Sequence, residues 1–296
     1  MRRLLVMLVL FAALAPAHGA VRVHVMLSDD TAPYRAAAAA LAQALGSVPV
    51  STGLAPEPVP GDATVLVPLG MLAADHAIPA AAGRPVFATL VPAASWARLT
   101  AGTADAQQTA LFLDQPLQRH AALVRTLLPP VRELGVVFGP SSSALAERLQ
   151  AVGTRFSIRV HRATVSDPSE VGDAVVAVLQ RSEALLALPD PQAYNRYTVR
   201  AVLLATFRLR RPVIGFSETW VHAGALGAVY STPEQLGTEL AGIVSAWAAE
   251  RGPVPEARYP SQYSLSVNRQ VAFSLGINLP ADPVLLERVR ALEATP

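Results

Sequence analysis

The sequence predicts an α/β protein of two lobes, and three observations carry that reading. Short apolar runs that do not alternate, such as "ATVLVPLG" (63–70) and "ELGVVFGP" (133–140), are what strands buried on both faces of a parallel sheet look like. Each run leads into a loop and then a helix-like segment, the β-loop-α grammar of a parallel sheet covered by helices. Two such series occur, one before about residue 112 and one after about 134, with the Pro-punctuated "FLDQPLQRHAALVRTLLPP" between them.

In chain order, "VRVHVMLS" (21–28) reads as a strand, "DDTAPY" (29–34) breaks it, and "RAAAAALAQALG" (35–46) is a helix stopped by Gly46. The run at 63–70 opens into "MLAADHA", and "RPVFATLV" (84–91) into a short polar stretch. In the second series "ELGVVFGP" feeds "SSSALAERLQAVG" (141–153), "EALLALPD" (183–190) feeds "PQAYNRYTVRAVLLATFR", and "RPVIGFSE" (211–218) precedes "GALGAVYSTPEQLG" (224–237). The ending differs: residues 232–252 form one long helix and "YPSQYSLSVN" (259–268) a polar, alternating strand, which suits a chain that crosses back between lobes.

The first 20 residues carry two arginines, an apolar run from Leu4 to Leu14 and then small residues, the three-part pattern of a secretory signal peptide with cleavage after Ala17 or Ala20. The apolar run is too short for a stable membrane anchor. The expected product is an exported, periplasmic protein. Removing the segment takes Arg2 and Arg3 but no acid, so the formal charge falls from +2 to zero, and the basic pI of the full chain gives no argument for nucleic acid or a membrane surface. The absence of cysteine excludes disulfides, thiol nucleophiles and Cys-ligated metals.

Chemistry is hard to find. "GPSSS" (139–143) and "GFSET" (215–219) lack the second glycine of a nucleophile elbow. The histidines 24, 76, 120, 161 and 222 stand singly, at no spacing that marks a metal pair or a general base. "GALGAV" falls short of the dinucleotide fingerprint, and a chain without lysine has no phosphate-binding loop of the Gly-Lys-Ser/Thr type. No enzyme, cofactor or metal is expected.

Polar residues recur instead at the carboxyl ends of predicted strands: Ser28 and Asp29, Gly70, Thr89, Gly139 with Ser141 and Ser142, Asp190, and Ser217 with Glu218. In open parallel sheets ligands bind at those ends, and two facing lobes would place both sets around one cleft. Ser141 and Ser142 open a helix and serve either as a cap alone or as a cap that also offers hydroxyls and amides to an anion. Asp190, between two prolines, either accepts a bond from a ligand ammonium or caps the following helix. Tyr34, Phe138, Tyr194 and Trp220 lie in or beside these loops, where an aromatic ring stacks on a flat ligand or simply fills the core.

The second half of the chain resembles a known family. "RPVIGFSETWVHAGALGAVYSTPEQLGTELAGIV" followed by "VNRQVAFSLGINLP" is similar to the periplasmic substrate-binding proteins of ABC transporters whose characterised members take tryptophan or tyrosine. The shared pattern falls on Pro212 to Gly215, Gly224 to Leu226, Thr232 to Gln235, Gly237, Asn268, Ala272, Leu275 to Ile277 and Pro280. The likeness runs from about residue 117 to 283, including "LLPPVRELGVVFGPSSSALAERLQAVG" and "ALLALPD". It implies two similar Rossmann-like lobes joined by a multi-strand hinge, of the type I-like periplasmic binding protein, with residues 21–112 plus 229–262 in lobe 1 and 113–228 plus 263–296 in lobe 2. It further implies that Ser141, Ser142 and Asp190 hold a ligand's carboxylate and amino group. Where family members often place a hydroxyl after a first-lobe strand, "LGMLAAD" has Met71. The implied function is capture of a small, amino-acid-like ligand by a monomer and delivery to an inner-membrane ABC permease, or, in the alternative, presentation of the ligand signal to a membrane sensor. Gly224 and Gly227 are the hinge candidates, since glycine lets the backbone turn and approach another segment closely.

Overall fold

The computed structural model of the protein describes residues 20–103 and 107–294, so the expected signal segment lies outside the described residues but for Ala20. The first lobe is built on five parallel strands: β1 (Val23–Leu27), β2 (Val50–Leu54), β3 (Val65–Leu69), β4 (Val86–Val91) and β5 (Gln108–Phe112), in the spatial order β2-β1-β3-β4-β5. β1 and β3 are buried at all five positions, because helices cover both faces of the sheet. α1 (Ala32–Leu45) follows β1 and buries Ala37, Leu41 and Leu45, one stripe at a spacing of four. α2 (Met71–Ala80) follows β3, and α3 (Ala93–Leu99) follows β4.

α4 (Leu117–Leu127) opens the second lobe, whose strands are β6 (Glu133–Phe138), β7 (Arg159–Thr164), β8 (Ala184–Leu186), β9 (Val213–Gly215), β10 (Gly227–Tyr230) and β11 (Ser264–Val267). Their order is β11-β10-β9-β8-β6-β7, parallel except for β11, which runs antiparallel to β10. Read from its other edge, β7-β6-β8-β9-β10 repeats the arrangement of the first sheet. The helices between them are α5 (Ala146–Arg155), α6 (Val171–Leu179), α7 (Val199–Arg208) and α8 (Glu218–Ala223), and the chain ends with α9 (Pro233–Glu250), α10 (Arg269–Ser274) and α11 (Asp282–Ala294).

Several bounds differ from the sequence reading. The helix expected from 141 begins as a 3-10 turn at Ser143–Leu145, and the one expected from 191 begins only at Val199, since Asn195 and Thr198 hold the intervening loop in turns through side-chain bonds to its backbone. β2 and β7 had no apolar run to announce them: both are edge strands, half exposed, with the sequences VSTGL and RVHRAT.

Among the described residues the chain crosses between lobes three times. It leaves β5 through residues 113–116 into α4, leaves β10 through Ser231 and Thr232 into α9, and returns through 259–263 into β11. α9 packs on the first lobe: Leu236, Leu240 and Val244 join Val23, Leu27 and Leu41 in one core. Its start is set by a capping box, with Thr232 and Gln235 exchanging side-chain and backbone bonds and Pro233 in the first turn. The lobe boundary expected at 229 falls inside β10, where Val229 and Tyr230 pair with Leu265 and Ser264.

Gly224 and Gly227 are not in a crossing segment. Gly224 caps α8 at φ 128°, a conformation that favours glycine, and Gly227 starts β10 inside the second sheet, where a Cβ would come within 2.6 Å of Leu127. Both glycines therefore shape the second lobe, and the crossing itself lies beyond them.

Candidate functional site

β5 leaves the first sheet at its carboxyl end, and β10 leaves the second at its own. Both sheets therefore turn their carboxyl ends toward the crossing segments, which is where an open parallel sheet places a ligand.

On the first lobe, the Ser28 hydroxyl donates to the Leu69 carbonyl at 2.9 Å and accepts from the Ala73 amide at 3.0 Å, tying β1 and β3 to the first turn of α2. Gly70 sits at φ 90°, and a Cβ there would meet Ser28 Oγ at 2.6 Å and the Tyr34 ring at 2.7 Å, so glycine is needed for both the turn and the close approach. Among the described residues the amides of Met71 and Leu72, at the start of α2, have no backbone partner. Asp29 is exposed and accepts from the Thr31 amide. Tyr34 is half-buried beside it, and burial followed by the Asp29 charge raises its hydroxyl above the ordinary tyrosine value.

Thr89 is no cleft residue: it is fully buried and its hydroxyl donates to Leu111 within the sheet. The strand continues past it through Leu90, a non-glycine residue at φ 57° where the pairing with β5 shifts register. Such a left-handed residue at a strand's carboxyl end is backbone strain of the kind that clusters at binding sites. No composition or period signals it. Beside it Asp114 accepts from the Ala93 amide at the start of α3, and burial raises its carboxyl above the usual range.

On the second lobe, Phe138 is fully buried and belongs to the core, so it has no face to offer a ligand. Tyr194 is likewise internal: its hydroxyl accepts from the Val137 amide, its ring meets Trp220 edge-on at 5.5 Å, and burial raises its pKa. Asp190 is 2% exposed and Ser142 1%. Asp190 Oδ2 accepts from both the amide and the hydroxyl of Ser142 at 2.9 Å, and Oδ1 accepts from the amides of Gln192 and Ala193 at 2.9 and 3.1 Å. A Cβ on Gly139 would lie 2.3 Å from Asp190 Oδ1. The Asp190 carboxylate and the Ser142 hydroxyl are thus taken up in joining the loops after β6 and β8, which corrects the expectation that they hold a ligand's polar groups.

The groups left available are Ser141, half-buried with no protein partner for its hydroxyl among the described residues, Ser217, which precedes α8 without capping it, and exposed Glu218. Tyr230, which the sequence did not mark, ends β10 at the point of crossing; burial and then the Glu218 carboxylate push its hydroxyl up to about 12. Ser28, Gly70, Ser141, Ser217 and Glu218 lie at or just past strand carboxyl ends, where the sequence places them, while burial removes Thr89, Phe138, Ser142, Asp190 and Tyr194 from direct reach.

The three crossings are tied together. Gln115 Nε2 donates to Ser231 Oγ at 3.0 Å, and that hydroxyl donates to the Gln262 carbonyl at 2.6 Å. Arg119, 5% exposed, donates to Gln115 Oε1 and to the Pro260 carbonyl, pairs with Glu293 at 2.8 Å and lies 3.9 Å over the Tyr263 ring. Among the described residues no group of three His, Asp or Glu side chains is placed to hold a metal, and no described helix is long and apolar enough to cross a membrane.

Comparison with known proteins agrees with this architecture. A ligand-free, open substrate-binding protein with adhesive properties from Clostridium difficile superposes with a TM-score of 0.73 at 14% identity, covering 88% of this chain and 97% of that one. An ABC domain from Streptococcus pneumonia in complex with L-Trp gives 0.63 at 15% identity over 91% and 98% of the two chains. A periplasmic ribose ABC transporter protein from Conexibacter woesei gives 0.56 at 12% over 92% and 97%. These likenesses show the two-lobe fold. A search of curated proteins finds no match. The family model described as ABC transporter substrate binding protein matches residues 58–287. With most of both lobes inside that match, the chain belongs to the substrate-binding protein family of ABC transporters.

Proposed function

We propose that this protein is the exported capture component of an ABC importer, enclosing a small amino-acid-like ligand between its lobes and presenting the closed form to a membrane permease. The observation that carries the reading is the meeting of two sheets' carboxyl ends at a three-segment crossing, a geometry in which rotation of one lobe encloses whatever lies between them. The chemistry of the two walls supports the ligand class. The unpaired amides at the start of α2 suit a carboxylate. Asp29 on one lobe and Glu218 on the other suit an ammonium group. The Streptococcus pneumonia relative, bound to L-Trp, is a precedent within the fold. Export is supported by the residue pattern of the first 20 positions.

Native mass spectrometry of freshly purified protein, followed by a thermal-shift screen of the amino acids, tests this directly. An L-amino acid should raise the melting temperature, and Glu218→Gln should weaken its binding by about tenfold, the scale of one charged hydrogen bond. A screen in which sugars or polyols bind and no amino acid does would remove the amino-acid assignment while leaving capture between the lobes intact.

A further inference from the structure

A spacious concavity of the second lobe lies away from the strand carboxyl ends. It is a groove of about 1160 Å³ between α7, the end of α8 and α10. Its floor is apolar, formed by Val199, Leu203, Leu204 and Phe207 of α7 with Val271 and Leu275 from and just after α10. Four arginines line it, Arg200, Arg208, Arg210 and Arg211, and no Asp or Glu does. Arg211 faces Glu183 in a neighbouring depression, where that carboxylate is occupied by the amides of Arg132 and Glu133. Arg200, Arg208 and Arg210 make no ion pair among the described residues.

Large apolar side chains project from the same region: Phe207 is 79% exposed, Phe273 on α10 is 87% exposed, and Leu204 and Leu209 are 44% and 39% exposed. α7 explains why. Its sequence VRAVLLATFR buries Val202 and Ala205 against the lobe and carries a second apolar stripe, Leu204 and Phe207, on its outer side. A water-facing helix has no use for that stripe, and monomeric proteins seldom leave such a patch uncovered.

We infer that this face of the second lobe docks on an anionic lipid surface, with Phe207 and Phe273 entering the interface and the arginines meeting lipid phosphates. Charge complementarity selects this occupant. The cations stand together without an acid in the groove, although the chain without its first 20 residues has 22 arginines against 22 acids, so the attraction is local to this patch. Phe207 at the groove and Phe273 beside it on α10 are both largely exposed, which suits insertion into a surrounding apolar layer better than seating a narrow helix within the groove. Arginine stems lie along apolar surface while their guanidinium groups reach the headgroups. Docking here leaves the strand carboxyl ends facing water, so a tethered protein remains able to take up ligand.

The test is co-sedimentation of exported, processed protein with vesicles of phosphatidylcholine alone or with about 30% phosphatidylglycerol, an anionic fraction sufficient to attract basic patches. Wild type should pellet with the anionic vesicles only and be released by roughly 0.5 M salt. Arg208→Gln should weaken binding by about fivefold, the scale of one basic residue near a charged membrane. Phe207→Ser and Phe273→Ser together should abolish it while ligand binding and melting temperature stay at wild-type values. Failure of the wild type to distinguish the two vesicles, or equal pelleting of the double variant, overturns the inference. So does light scattering that finds a dimer dissolved by the phenylalanine substitutions without any vesicle binding, because the patch is then a contact between copies of the chain.

Discussion

Asp190 illustrates how burial decides a residue's work. A carboxylate removed from water is tolerated when donors surround it, and here four hydrogen bonds from Ser142, Gln192 and Ala193 do so. Asp190→Ala leaves those donors facing an empty space and should lower unfolding free energy by about 3 kcal/mol, read from urea denaturation. Asp190→Asn keeps one acceptor oxygen but turns an NH2 toward donors, so its loss should be of similar kind and smaller. A more than tenfold fall in ligand affinity for Asp190→Asn with stability unchanged would instead place Asp190 against the ligand. The position of Asp190 at a strand end was readable from "LPDPQ"; its enclosure was not, because the covering Ser142 lies 48 residues away and a loop's path over a side chain leaves no local pattern. The same holds for Tyr194 and Phe138. Thr89 was misjudged for another reason: the left-handed Leu90 prolongs β4 past it, and the hydroxyl faces Leu111 inside the sheet.

At the scale of elements, the contact between α1 and α9 depends on small residues on both sides. The alanine run of α1 lets α9 approach so closely that a Cβ on Gly237 would lie 2.2 Å from the Ala37 carbonyl oxygen, nearer than real contacts allow. Gly242, one turn and a half further along α9, has nothing within 4 Å of the same construction. Gly→Ala inside a helix ordinarily gains up to about 1 kcal/mol. Gly242→Ala should therefore stabilise the protein by about that amount, whereas Gly237→Ala should destabilise it by about 2 kcal/mol because the helices must separate. Chemical denaturation of both variants checks the opposite signs, and equal effects at the two positions would mean that α9 can shift away freely. Elements with a strong period or cap, such as α1 and α9, were legible in sequence. β2 and β7 were not, since an edge strand packs on one side only and their polar residues mimic loops.

For the whole molecule, the question is how two lobes built on the same strand order move relative to one another. The glycines of "GALGAV" looked like the pivot because they are flexible by nature, yet they are held inside the second lobe. In the capture cycle proposed above the pivot falls to the crossing segments, whose buried bonds among Gln115, Ser231 and Gln262 tie three strands of chain together, with Arg119 and Glu293 anchoring them to the second lobe. Glu239 of α9 anchors them from the other side, accepting from the amides of Ser261 and Gln262. Gln115→Ala removes the side chain that both Ser231 and Arg119 contact, so the crossings should lose their mutual restraint while each sheet stays intact. The absence of cysteine makes the measurement simple, because paired labels at Gln43→Cys on α1 and Asp173→Cys on α6 report the separation of the lobes without interference. Without ligand, the wild type should give a narrow distance distribution and Gln115→Ala a broader one; with ligand both should shorten, the variant at a ligand concentration shifted by more than threefold, since closure and binding draw on the same equilibrium. Identical distributions in the two proteins would show that the hydrogen-bonded network does not govern the movement, and the restraint would then have to come from the packing of Arg119 on Tyr263.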